Sequence, residues 1–137
     1  MKSPLIFAAA ISISTLAYSQ STPDLKGTWA GTSNTTVIGA GQHHPGNEPM
    51  KTVRFRNVEL QFIIDQQKGP NFSGKLVSAT YEEVLAGVLS HDGKSGVMAD
   101  EDGTFSFKLV GKNKMEICYT HAKSSSIVAA CTLTERK

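Results

Sequence analysis

The chain has 137 residues and a formal net charge of +2, with 39% hydrophobic and 19% charged side chains. Its basic residues are scattered (Lys26, Lys51, Arg54, Arg56, Lys68, Lys75) and never form a dense run, which removes the electrostatic case for nucleic acid or an acidic membrane as partner. A chain of this size can bury a working core without metals or many disulfides.

Residues 1–19, "MKSPLIFAAAISISTLAYS", read as a cleavable signal peptide. Lys2 is the positive start and Leu5 to Leu16 the uncharged, largely apolar core. Ala17-Tyr18-Ser19 then supplies small residues ahead of a cut between Ser19 and Gln20. The apolar run falls short of the roughly 20 residues that span a bilayer. No cysteine stands at the cut to carry a lipid. The expectation is a secreted or periplasmic protein with no membrane span and a single domain over 20–137.

After a short polar lead-in, "LKGTWAGTSNTTVIG" (25–39) is rich in threonine and lacks an apolar pattern of helical period, so it reads as the first strand. "AGQHHPGNEPMK" (40–51) reads as a loop, because glycine and proline at this density disallow a regular element. In "TVRFRNVELQFIID" (52–65), Val53 and Phe55 fall on odd positions and Val58, Leu60, Phe62 and Ile64 on even ones. A bulge near Arg56-Asn57 would restore one common inner face, giving a long, strongly bent strand.

Gly69-Pro70 makes the next turn. From Phe72 to His121 short strands are separated by "HDGK", "DEDG" and "GKNK", each holding the residues that turns require. "YEEVLAG" (81–87) reads as strand rather than a short helix. Phe105, Phe107 and Leu109 alternate with Ser106 and Lys108, giving one buried and one wet face. "MEICYTH" and "SIVAACTLT" form a hairpin about "AKSSS". Folding it at mid-turn sets Cys118 opposite Cys131, within range of a disulfide. About eight strands with regular turns and no convincing helix indicate one all-β domain, an antiparallel up-and-down β-barrel or, alternatively, a β-sandwich.

"GTWAG" on the first strand resembles the Gly-x-Trp opening of lipocalins, avidins and related calycin barrels. The resemblance implies that Trp29 lies at the closed end of a barrel against a basic residue of the last strand, for which Arg136 is the candidate. Avidin-like biotin sites use several tryptophans, and this chain has one. The chain also resembles a group of small exported bacterial proteins through "GTWAGTS", "GAGQHHP", "LAGVLSHDGKSGVMADEDG", "MEICY" and "VAACTLT". That likeness implies export and a shared fold and assigns no activity.

His43 and His44 are the residues that first suggest chemistry. Imidazoles suit zinc, copper or nickel, yet a site needs three or four ligands, and neighbours on an extended backbone point apart. Glu48, His91 and His121 are the outside candidates, none at a recognised spacing, so no metal ligand set and no cofactor is assigned. "DEDG" resembles a fragment of a calcium loop but lacks the later ligands, and a hairpin turn explains it. No Gly-x-Ser-x-Gly elbow occurs. Glu82 and Glu83 should face opposite sides of a strand. Glu59 and Glu116 would matter only if they turned inward, and a disulfide removes Cys118 as a nucleophile.

The expectation is therefore an exported binding protein without catalysis. It would hold a small apolar molecule or a protein at the barrel mouth and loops, with His43, His44 and Tyr119 as contacts. The alternatives are an inhibitor or envelope-protection protein acting through an exposed loop, and a metal-binding protein centred on His43-His44.

Overall fold

The computed structural model describes residues 21–41, 43, 46 and 49–137. Residues 1–19, expected to be a signal peptide, and His44 and Glu48 lie outside the described residues. Eight strands follow in order: β1 (Gly27–Gly39), β2 (Val53–Lys68), β3 (Asn71–Val77), β4 (Glu82–Leu89), β5 (Ser95–Ala99), β6 (Thr104–Gly111), β7 (Lys114–Ala122) and β8 (Ser126–Arg136). Each pairs antiparallel with the next, and β8 returns to β1, so the sheet is a closed up-and-down barrel rather than a sandwich. Closure leaves no strand edge open to another chain among the described residues.

Period-2 alternation builds the interior. Phe62 and Ile64, Phe72 and Leu76, Leu85 and Leu89, Phe105 and Phe107, and Met115 and Ile117 are buried in pairs two or four residues apart along single strands. Two aromatic rings lie where a neighbouring strand has glycine. Phe72 pairs with Gly87 and Phe107 with Gly96, and a Cβ at either glycine would run into the ring.

The expected bulge near Arg56-Asn57 does not form. The β1–β2 register runs unbroken from Gly27↔Ile64 to Ile38↔Val53. Val53 and Phe55 consequently face outward, Phe55 at 81% exposure, while Arg54 and Arg56 share the inner face with Val58 and Leu60. The interior is polar at that end and accepts them: Arg54 donates to the Gly39 carbonyl, and Arg56 lines the cavity described below. The irregularity lies instead between Ile64 and Gln66, opposite Gly74 and Ser73. Beyond it, the Gln67 amide accepts from Leu25 N–H at 2.7 Å and donates to the Pro23 carbonyl at 2.8 Å. Glu59 and Glu116 are exposed, because Leu60, Met115 and Ile117 hold the inward positions beside them.

Up-and-down connection gives the barrel two unlike ends. At one, Trp29 is 1% exposed, donates through Nε1 to the Leu25 carbonyl at 2.8 Å, and carries the Arg136 guanidinium 4.5 Å from its ring centroid. The tight turns at this end include Gly69 and Gly93, whose φ of 58° and 63° fit glycine. The odd connections (40–52, 78–81, 100–103, 123–125) all meet at the other end. Cys118 and Cys131 stand opposite each other in the β7–β8 ladder and form a disulfide with Cα atoms 4.1 Å apart. No helix among the described residues is long and apolar enough to cross a membrane.

Candidate functional site

The open end gathers side chains from two strands, β4 and β7, and the four connections at that end. On β4, Glu83 shares the parity of Leu85 and Leu89 and therefore points inward. Glu82 points out and pairs with Lys75 at 2.9 Å. On β7, Tyr119 and His121 continue the inner face set by Met115 and Ile117. In the 100–103 turn, Asp100 Oδ1 accepts the N–H groups of Asp102 (2.9 Å) and Gly103 (2.7 Å), which fixes the direction of Asp102. Asp102 is paired with the Lys123 ammonium from the next connection at this end.

His43 enters this ring from the long loop. Its Nε2 lies 2.9 Å from Glu83 Oε1 and 3.8 Å from Asp102 Oδ2, and its ring rests 4.5 Å from that of Tyr81. The three side chains are only 16%, 13% and 18% exposed. Asp100 Oδ2 is buried beside them with no hydrogen-bond partner among the described residues.

Low solvation and crowded carboxylates set the protonation of the group. Burial raises the Glu83 carboxyl above its usual range; Asp100, Asp102 and Glu101 push the same way, while His43 opposes them. Asp102 is held below its ordinary value, chiefly by the hydrogen bond from Lys123. Burial and the neighbouring acids raise both Tyr81 and Tyr119, so their phenols stay protonated at neutral pH. Burial lowers His121, which is neutral there.

Below the ring lies a cavity of about 50 Å³. Phe62, Phe105 and Ile117 are among its apolar lining, Ser33, Thr35 and Thr132 supply hydroxyls from β1 and β8, and Arg56 adds a cation. That volume suits a few waters. It is far below the roughly 300 Å³ at which pockets for organic ligands begin.

One triplet has the spacing of a nucleophile, its base and an orienting group. Ser126 Oγ is 2.9 Å from His121 Nε2, and His121 Nδ1 is 2.8 Å from the Tyr119 hydroxyl. Ser126 is 1% exposed, however, so its oxygen is sealed from a substrate carbonyl. The bonds instead hold Tyr119 and His121 in one orientation.

His43 and Tyr119 line the same cavity. His91 lies in the turn between β4 and β5, at the opposite end, and is exposed. His121 is at the mouth but bonded to Tyr119 and Ser126. The groups beside His43 are Glu83 and Asp102, which sequence reasoning weighed only as half of the Glu82-Glu83 pair and as part of the "DEDG" turn, and did not place with His43. For Glu83 the signal was present, since it shares parity with Leu85 and Leu89. For Asp102 nothing in the sequence pointed to His43, because only barrel closure carries the 100–103 turn there. Comparison with protein-family models, curated proteins and solved structures finds no match.

Proposed function

We propose that this is an exported, non-catalytic binding protein whose ligand sits at the open mouth of the barrel. One observation carries the reading. His43, Tyr81, Glu83, Asp100, Asp102, Tyr119 and His121 converge on a single cavity, while Leu25, Trp29 and Arg136 seal the opposite end. A rigid barrel with convergent polar groups at one mouth is a common ligand-site geometry. The calycin resemblance adds support, because Trp29 and Arg136 occupy the closed end in the arrangement it implies.

The cavity narrows the ligand. At about 50 Å³ it suits a small polar or cationic group at the rim better than a bulky apolar molecule inside the barrel. Export is supported by the leader and is compatible with the Cys118–Cys131 disulfide. Native mass spectrometry of protein purified from its host envelope tests the reading. A retained ion or small ligand, lost in Glu83→Ala, is expected; a chain of bare mass would count against it.

The filled interior also favours a second reading, an inhibitor or envelope-protection protein acting through the 40–51 loop. The same measurement would then reveal a bound protein, released when the loop is replaced by a glycine-serine linker.

A further inference from the structure

We propose that His43 Nε2, Glu83 and Asp102 form a three-ligand site for a divalent transition cation, zinc being the best fit. The inference rests on the mouth being the binding site and names what binds there.

The donor set is one imidazole nitrogen and two carboxylates, all offering an atom within 4.8 Å of the others. Around tetrahedral zinc, with bonds of about 2.0–2.2 Å, ligand atoms stand roughly 3.3–3.5 Å apart. The distances from His43 Nε2, 2.9 Å to Glu83 and 3.8 Å to Asp102, bracket that spacing. The two carboxylates lie within 4.8 Å of each other, so rotamer shifts on the order of an ångström would close the set. Three protein ligands leave a fourth position for water or an exchangeable ligand.

The ligands are already oriented. Tyr81 packs against the imidazole, the paired strands β3 and β4 hold Glu83, and the Asp100 side chain fixes the turn that carries Asp102. Lys123 grips the other oxygen of Asp102, the kind of outer contact that directs a carboxylate ligand.

Charge points the same way from a separate observation. Glu83, Asp100 and Asp102 line the cavity together, three carboxylates against the Arg56 guanidinium on its wall and the Lys123 ammonium paired with Asp102. Asp100 Oδ2, buried and without a hydrogen-bond partner among the described residues, is an acceptor with nothing to satisfy it. A divalent cation with a bound water meets both needs. Imidazole with only two carboxylates disfavours calcium and magnesium, which require more oxygen ligands.

The test is competition for Zn²⁺ between the exported chain and a chromogenic chelator. One zinc per chain is expected, with at least tenfold weaker binding in both His43→Ala and Glu83→Gln. His91→Ala, at the far end, should bind within twofold of the parent, and millimolar Ca²⁺ should not displace zinc. His43 lies in a loop, so its variant carries the test even if Glu83→Gln folds poorly. No competition by the parent chain, or unchanged affinity in His43→Ala, overturns the site. An organic ligand or protein retained on the host-purified chain, together with no zinc competition, overturns the zinc site and leaves the mouth reading standing. No retained species and no competition overturns both.

Discussion

Replacing Phe62 with alanine asks whether the barrel is filled. Phe62 is 1% exposed, sits between Trp29 and Leu76 in neighbouring strands, and meets Phe105 edge-on with ring centroids 5.9 Å apart. It also borders the existing cavity of about 50 Å³. Truncating a fully buried phenylalanine removes its transfer free energy and leaves a void, for a cost of about 3–5 kcal/mol. A closed barrel collapses poorly around such a void, because the strand ladders fix the wall, so the upper half of that range is expected. At roughly 4 °C per kcal/mol for a domain of this size, the melting temperature should fall by about 16–20 °C. The assay is thermal unfolding followed by circular dichroism, with and without benzene. The variant should recover several degrees with benzene, because an apolar cavity of about 150 Å³ holds such a molecule. The parent should not respond. A loss below about 1.5 kcal/mol, or an equal benzene response in the parent, would refute the filled interior and return a small apolar ligand to first place.

Removing the disulfide with Cys118→Ala and Cys131→Ala together should cost about 3 kcal/mol, given the separation of 13 residues between them; urea titration of oxidised parent and double variant checks it. Gly87→Ala should destabilise by about 1–3 kcal/mol, since its methyl must displace the Phe72 ring. Pairing it with Phe72→Leu should recover much of the loss. Burial depresses the His121 pKa, so between its folded value and the ordinary 6.5 the unfolded chain binds more protons, and stability rises with pH there. Lowering the pH from 7.5 to 5 should therefore cost the parent more stability than His121→Gln. A His121 imidazole titration midpoint at or above 6.5 by NMR would contradict this.

Parity made much of the barrel legible. Phe105 and Phe107 alternate with Ser106 and Lys108, and both phenylalanines are buried while both polar neighbours are exposed. The hairpin that sets Cys118 against Cys131 is equally local, because one short turn fixes the register of two long strands. On β2 the same pattern misled. Treating Val53 and Phe55 as core required a bulge, whereas the inner positions belong to Arg54 and Arg56. A hydrophobicity pattern presumes an apolar interior at every level, and this barrel is polar towards its mouth. Glu83 was readable from its own strand, but a carboxylate on an inner face looks like an error until partners are known.

By itself the sequence determined the all-β class, the rhythm of strand and turn, and the inner and outer positions of strands such as β6. Those follow from near-neighbour sterics and a period of two, which need no knowledge of distant segments. Tertiary structure alone decided closure through the β1–β8 ladder and, with it, which connections share an end. It also brought His43 from a loop to Glu83 on β4 and Asp102 in a turn, groups far apart along the chain. Such a cluster exists only once the sheet curls shut, and no local pattern encodes the distance between residues that meet across a barrel mouth.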